Sequence, residues 1–280
     1  MVDVSFLLPT LNDRRPNEKF CHRVVKSIQE IKWDSGPKKF TYEILVYSPL
    51  DPEIEGVTWI KEEETVGSVA GYNKMYKMSK GRIVHPATDG MLYGEQFKYD
   101  VILRMIVQER DFILMIPEQY TEDGQRVESL ATKLFNIPLN FQPDKNYTNF
   151  YSRFSDITKV ACARFPVITR NFIEDKLGGV IYPSVFKARY IDHYMAFYFW
   201  LKGCEKIKEL TNCGITAFPP FEGELSNEDY DYKVYCALLS ACANNLDLEY
   251  DISYEDLKKR VKDVNLNKMS FPDKEPKINF

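Results

Sequence analysis

The sequence holds only three histidines in 280 residues, and His22, His85 and His193 stand far apart. Its six cysteines (Cys21, Cys162, Cys204, Cys213, Cys236 and Cys242) are scattered, with no Cys-x-x-Cys pair. Structural zinc draws its ligands from such pairs at short spacing, so this scarcity argues against a Cys/His metal centre. Dispersed thiols fit free cysteines in a reducing, cytoplasmic compartment. Cys21 beside His22 reads as a buried helix thiol rather than half of a catalytic dyad. Positive charge is not in excess either: 37 Lys and Arg face 41 Asp and Glu, for a formal net charge of −4. A surface built to hold nucleic acid is basic, so nucleic acid is not the expected partner. No apolar run approaches the roughly 18 residues that would cross a bilayer. The opening MVDVSFLLPTLND carries Asp3 and no basic stretch before its apolar run, which reads as a buried strand and not a signal peptide.

What is abundant is the aromatic ring: 18 Tyr, 18 Phe and 3 Trp. The rings serve a large core, or in part line a groove for sugars or bases, since flat rings stack on both. Val2–Leu8 is a β-rich run stopped by Pro9. Phe20, Val24, Val25, Ile28 and Ile31 recur at helical spacing. Tyr42–Tyr47 and Val57–Ile60 read as strands, 67–80 as a helix, and Arg82–Pro86 as a fourth strand ending in Thr88-Asp89-Gly90. Strand, helix, strand, strand, helix, strand is the order of a parallel sheet covered by helices. Such sheets bind ligands beyond the carboxyl ends of their strands, so the loops Pro9–Asp13, Ser48–Asp51 and Thr88–Gly90 are expected to converge.

Further on, Phe112–Ile116 reads as a strand or a buried helix end and Val127–Phe135 as a helix. Gly178-Gly179 signals a turn. Ile191–Leu201 reads as a buried helix with Asp192 and His193 near its start. Phe218–Asp231 reads as an acidic loop, with GELSNEDYD a mobile segment able to close over a ligand. Tyr232–Leu246 and Tyr254–Val264 read as helices.

The ordered set VSFLLPTLN (4–12), YEILVYS (42–48) and GSVAGYNKMYKMSKGRIVHPATDGML (67–92) resembles the inverting glycosyltransferases of family 2. Residues 168–203, with a Gly-Gly turn and an acidic residue opening a helix, resemble that family's acceptor half more thinly. The resemblance implies an α/β fold of GT-A type. Its mixed, mostly parallel sheet would be flanked by helices around a Rossmann-like nucleotide-binding half, with a helical C-terminal part. Residues 1–95 would bind the nucleotide sugar, 96–225 the acceptor, and 226–280 would form the helical extension.

The resemblance also implies roles. Pro9, Thr10 and Asn12 would form the nucleotide wall. Ser48 stands where the family often has a base-contacting acid, with Asp51 as a substitute. Asn73 matches the Asn of the family's helix, although Gly71 replaces the basic residue usual two positions earlier. Asp89 falls in the DxD-type motif and would bind one Mn²⁺ or Mg²⁺, its neighbour being Gly90; its other reading is a cap on the following helix. Asp192 would be the general base, or equally a carboxylate stabilised at a helix N-terminus, and His193 is the alternative base. By their charge alone, Arg164, Arg170 and Lys187 would face an anionic diphosphate or an acidic acceptor, or be solvated surface charge. The expected partners are a nucleotide-sugar donor and a hydroxyl-bearing acceptor: a glycan, a lipid-linked sugar or a protein. A catalytically degenerate nucleotide- or glycan-binding protein is the second reading, favoured by Ser48, Gly71 and Gly90. A nucleotidyltransferase is the third, kept by Arg14 and Arg15 alone.

Overall fold

Val4–Pro9 (β1) is buried along nearly its whole length, as a strand flanked on both edges and covered on both faces must be. The computed structural model describes residues 2–11, 20–63, 67–120, 126–127, 165–188, 190–192, 194–195, 198, 209–217, 228–243 and 248–262. In it β1 is the centre of a parallel block. Tyr42–Ser48 (β2) lies on one side, in register Val4 to Tyr42 and Pro9 to Tyr47. Ile83–Pro86 (β4) lies on the other, Leu7 opposite Pro86. Thr58–Lys61 (β3) extends the block beyond β2.

Among the described residues the mixed sheet has nine strands, and past β4 it continues into antiparallel strands. With Met91–Tyr93 (β5), Phe112–Tyr120 (β6), Arg126–Val127 (β7), Phe165–Thr169 (β8) and Glu209–Ala217 (β9), the order is β3-β2-β1-β4-β8-β6-β9-β5, and β7 pairs with β6. β8 runs antiparallel to both β4 and β6. β6 and β9 are parallel. The stretch around Phe112 is therefore strand, and Val127 is strand too; 128–135 lie outside the described residues.

Successive strand residues point to opposite faces, and β1 divides its side chains accordingly. Val4, Phe6 and Leu8 enter a core with Phe20–Gln29 (α1) and the π-helix Phe97–Leu103. That π-helix runs on into the short Arg104–Val107 (α3). Leu7 enters the other core, with Ser68–Met78 (α2), Arg170–Lys176 (α4), Glu228–Ala243 (α5) and Tyr254–Lys262 (α6). The second core is rich in tyrosine: Tyr72, Tyr76, Tyr182, Tyr194, Tyr198, Tyr230, Tyr235, Tyr250 and Tyr254 are all buried in it.

Two sequence signals acquire physical reasons. Gly71 is where α2 meets the sheet: a Cβ there would stand 2.7 Å from Tyr47 Cδ1 and 3.4 Å from Pro9 Cβ. That contact leaves no room for the basic residue the resemblance expects two positions before Asn73. Gly178 and Gly179 form the anticipated turn, with φ of 71° and 80°, which glycine adopts without steric cost. The acidic stretch is corrected in part. Glu228, Asp229, Tyr230 and Asp231 are the start of α5 rather than loop, with Asp231 fully buried; 218–227 lie outside the described residues. Among the described residues no helix is long and apolar enough to cross a membrane.

Candidate functional site

The first, second and fourth strands end together, and backbone bonds carry the ladder one step past them. Thr10 N donates to Tyr47 O at 3.0 Å, and Ala87 N donates to Leu7 O at 2.8 Å. The turn at Asp89 then lies beside the loop at Thr10, whose hydroxyl donates to Asp89 Oδ2 at 3.3 Å. Thr10 is nearly buried while Asp89 is exposed. A buried hydroxyl thus aims an exposed carboxylate at the edge where a parallel sheet binds ligands.

Beneath Asp89 lies Tyr72 of α2, buried, its hydroxyl donating to Ala87 O at 2.7 Å. Burial first, and the charge of Asp89 second, push the Tyr72 phenol well above its ordinary range. The same two causes push the Cys21 thiol of α1 up to about 12. Cys21 is thus the inert, buried helix thiol the sequence implies. The Tyr72 ring meets Tyr182 edge-on, centroids 5.2 Å apart and planes at 71°. Tyr182 is buried, and its phenol is raised by burial first, then by Tyr72 and by Asp192. Asp192 is half-buried and helical, in a segment where residues 191, 192, 194, 195 and 198 are helical. Burial is thus the main cause of both raised phenols, with Asp89 adding to it at Tyr72 and Asp192 at Tyr182.

The remaining candidates divide. Ser48 is fully buried, and its hydroxyl donates to Leu50 O at 2.7 Å. It shapes the turn after β2 and does not point outward. Its carbonyl accepts from Glu62 N at 2.9 Å and Trp59 Nε1 at 3.2 Å. Asp51 is exposed, and its Oδ1 accepts from Glu53 N at 2.9 Å. Pro9 ends β1 at the same edge. Asn73 is committed to the chain itself. Its Nδ2 donates to Tyr182 O at 2.7 Å, and its Oδ1 accepts from Ile181 N at 3.0 Å and Tyr182 N at 3.2 Å. Asn12, Arg164 and His193 lie outside the described residues.

Arg170 faces no ligand loop. Its guanidinium donates to Gly81 O at 2.9 Å and Ser79 O at 3.0 Å, and lies over the Tyr76 ring at 4.8 Å. A cation there satisfies carbonyls at the C-terminal end of α2, at the opposite edge of the sheet from Asp89. Lys187 stands near the ligand edge through its backbone: its carbonyl accepts from Val69 N in the first turn of α2 at 3.2 Å.

Sequence reasoning missed Tyr72, Tyr182 and Asp231. Tyr72 is adjacent to Asn73 in the quoted block, but its partner comes from a remote segment and only folding joins them. His85 proves to be a core residue. Its Nδ1 is 3.0 Å from Pro166 O and its Nε2 2.8 Å from Tyr93 Oη. The carbonyl only accepts, so Nδ1 carries the proton and Tyr93 donates to Nε2. Burial lowers the imidazole pKa to about 4.

Among the described residues no three His, Cys, Asp or Glu side chains stand together as a metal cage. One exposed carboxylate at a strand end fits a different arrangement: a Mg²⁺ or Mn²⁺ that keeps its waters and is shared with substrate phosphates.

No protein-family model matches the chain, and no curated protein matches it in sequence. Solved structures do. Residues 1–349 of S. aureus TarS with UDP-GlcNAc superpose with a TM-score of 0.55 at 12% identity, over 94% of this chain and 71% of that one. The same protein with UDP gives 0.53 at 13% identity, over 94% and 70%. Longer TarS gives 0.54 at 14% identity, over 94% of this chain and 42% of that one. The fold is the GT-A fold of glycosyltransferases. The likeness at such low identity is one of fold.

Proposed function

We propose that this chain is a glycosyltransferase that moves a sugar from a nucleoside-diphosphate donor to an acceptor hydroxyl, inverting the anomeric centre. The observation that carries this reading is the exposed Asp89 carboxylate, met by the Thr10 hydroxyl at 3.3 Å at the carboxyl edge of β1, β2 and β4. The fold likeness to TarS, solved with UDP and with UDP-GlcNAc, supports a uridine nucleotide as the first donor to try.

In this reading Pro9, Thr10 and Asn12 wall the nucleotide, with the turn built by Ser48 and Asp51 beside the base. Asn73 acts by holding the backbone of Ile181 and Tyr182, which brings Tyr182 against Tyr72. Asp192 takes the proton of the acceptor hydroxyl as its oxygen attacks the anomeric carbon from the face opposite the diphosphate. The bond from that carbon to the diphosphate oxygen breaks, and the electron pair leaves with the diphosphate. Asp89, aimed by Thr10, would hold Mg²⁺ or Mn²⁺, which supplies Lewis-acid neutralisation of the charge on the departing phosphates. His193 beside Asp192 is the alternative proton acceptor. The acceptor is a hydroxyl of a glycan, a lipid-linked sugar or a protein.

The test is ligand-dependent stability joined to donor turnover. UDP, UDP-GlcNAc and the other nucleoside diphosphates are compared with and without Mn²⁺ in the wild type, Asp89→Ala and Asp192→Asn. A ligand at about 100 times its Kd adds about 2.7 kcal/mol. A shift strengthened by Mn²⁺ and weakened in Asp89→Ala, with UDP released from UDP-GlcNAc by the wild type and not by Asp192→Asn, is the expected result. Binding with no release assigns the chain to the non-catalytic reading, which Gly90 in place of a second acid favours. No nucleotide shift at all from folded protein rules out the transferase and leaves the second reading in its glycan-binding form.

A further inference from the structure

The start of α5 grips the segment that leads into Asp192. Asp231 is fully buried, and its two carboxylate oxygens accept from two successive amides: Oδ1 from Lys187 N and Oδ2 from Ala188 N, each at 2.8 Å. Beside it, Tyr230 Oη donates to Val185 O at 3.0 Å. The Lys187 carbonyl in turn accepts from Val69 N of α2 at 3.2 Å. Residues 185–188 are thereby pinned between α5 and the ligand-side end of α2. A carboxylate taking two backbone N–H bonds in a dry site is a strong, directional clamp.

The chain then passes through Tyr190, whose φ is +59°. A bulky residue is held in the left-handed region only where its surroundings over-determine it. Here the Tyr190 ring stacks on Tyr235 of α5, with centroids 5.7 Å apart and planes at 17°, and tilts against Tyr232 of α5 at 5.5 Å. Its carbonyl accepts from Tyr194 N at 2.9 Å, which starts the helical segment that bears Asp192. One helix therefore fixes both the segment before the turn and the residue that makes it.

We infer that Asp231 is a positioning residue for the Asp192 carboxylate, acting through the Lys187–Ala188 peptide and the left-handed Tyr190. The inference rests on the reading of Asp192 as the base. It is also independent of the donor sugar, since the clamp's bonds all run to backbone groups of this chain. A base displaced by about 1 Å loses up to about a hundredfold in rate with little change in binding.

The experiment compares Asp231→Asn, Tyr190→Gly, Asp192→Asn and the double variant Asp192→Asn/Asp231→Asn. The readouts are release of UDP from UDP-GlcNAc, the Kd for UDP and the melting temperature. Asn at 231 keeps the volume but turns one oxygen into an NH₂ facing a backbone N–H. Gly at 190 tolerates the φ and loses the stack, so it serves if Asp231→Asn fails to fold. The expected result is a fall in kcat of about ten- to a hundredfold with KM and UDP Kd unchanged. The double variant should be no slower than Asp192→Asn alone, because the clamp acts only through Asp192. Wild-type kcat with a lowered melting temperature makes Asp231 a structural clamp and overturns the inference, as does a further loss of rate in the double variant. Wild-type turnover by Asp192→Asn overturns instead the reading of the base. If the wild type releases no UDP, the Asp192 carboxyl titration by carbon-13 NMR decides. Its resonance is identified by its loss in Asp192→Asn. A midpoint moved by Tyr190→Gly, which changes no charge, supports the inference, and a midpoint it leaves unmoved overturns it.

Discussion

Asn73 and Tyr182 clasp each other reciprocally: the Asn73 amide donates to the Tyr182 carbonyl at 2.7 Å and accepts from the Tyr182 N–H at 3.2 Å. A third bond, from Ile181 N at 3.0 Å, completes the pattern. One side chain of α2 thus replaces the backbone partner that a neighbouring strand would supply, and it docks the second half of the chain on the first. The Tyr250 hydroxyl, donating to Ile181 O at 2.7 Å, holds the same segment from the C-terminal side.

Replacing Asn73 with Ala removes all three bonds and leaves two backbone N–H groups and one carbonyl without them. Urea denaturation should show a loss of roughly 2–3 kcal/mol. Because the clasp seats Tyr182 against Tyr72, donor turnover should fall further than the stability loss explains at temperatures where the variant remains folded.

Gly71→Ala tests the contact of α2 with the strand ends. The added methyl would lie 2.7 Å from Tyr47 Cδ1, and Tyr47 is itself buried in the core. Alanine is the better helix former by about 1 kcal/mol, so an unobstructed site would gain stability. The overlap should reverse the sign and give a net loss of about 1–3 kcal/mol in denaturant titration. A stabilised variant would show that α2 can lift from the sheet at no cost.

His85 makes stability depend on acid. Its pKa is about 4 in the folded protein against an ordinary 6.5, with burial the first cause. Above pH 6.5 both states are neutral there and the contribution is complete. As pH falls from 6.5 to about 4 the unfolded chain takes up a proton that the folded chain refuses. Stability therefore drops by about 1.4 kcal/mol per pH unit, roughly 3 kcal/mol in all, and then levels off. Unfolding measured across that window should be visibly flatter in His85→Phe, which cannot titrate. That variant should also be less stable at neutral pH, having lost the bonds to Tyr93 and Pro166.

Much of the parallel block was legible because its signals are local. An apolar run such as Val4–Leu8 closed by Pro9, or YEILVY closed by Ser48-Pro49, announces a buried strand without reference to anything distant. The helical spacing of Val24, Val25 and Ile28 does the same for α1. The acidic stretch before Tyr232 misled for a reason of the same kind. Asp231 is charged and sits among Glu, Asn and Asp, so local composition calls it solvated. Its burial depends on two amides forty-odd residues upstream, and Arg170, equally charged, is absorbed by carbonyls at the end of α2.

The sequence by itself determined the alternation of strand and helix, the edge at which Pro9, Thr10, Ser48 and Asp89 would emerge, and the inert character of the thiol at Cys21. These follow from periodicity and chain stops that act over a few residues. Only the tertiary structure decided that Asn73 spends its side chain on backbone, that Tyr72 packs on Tyr182, and that a buried Asp231 holds the segment leading to Asp192. Each of these is a bond or ring contact between segments remote in the chain. Which polar group finds which partner is fixed when the sheet brings those segments together and shuts water out, since a buried polar group must then be satisfied by whatever lies beside it.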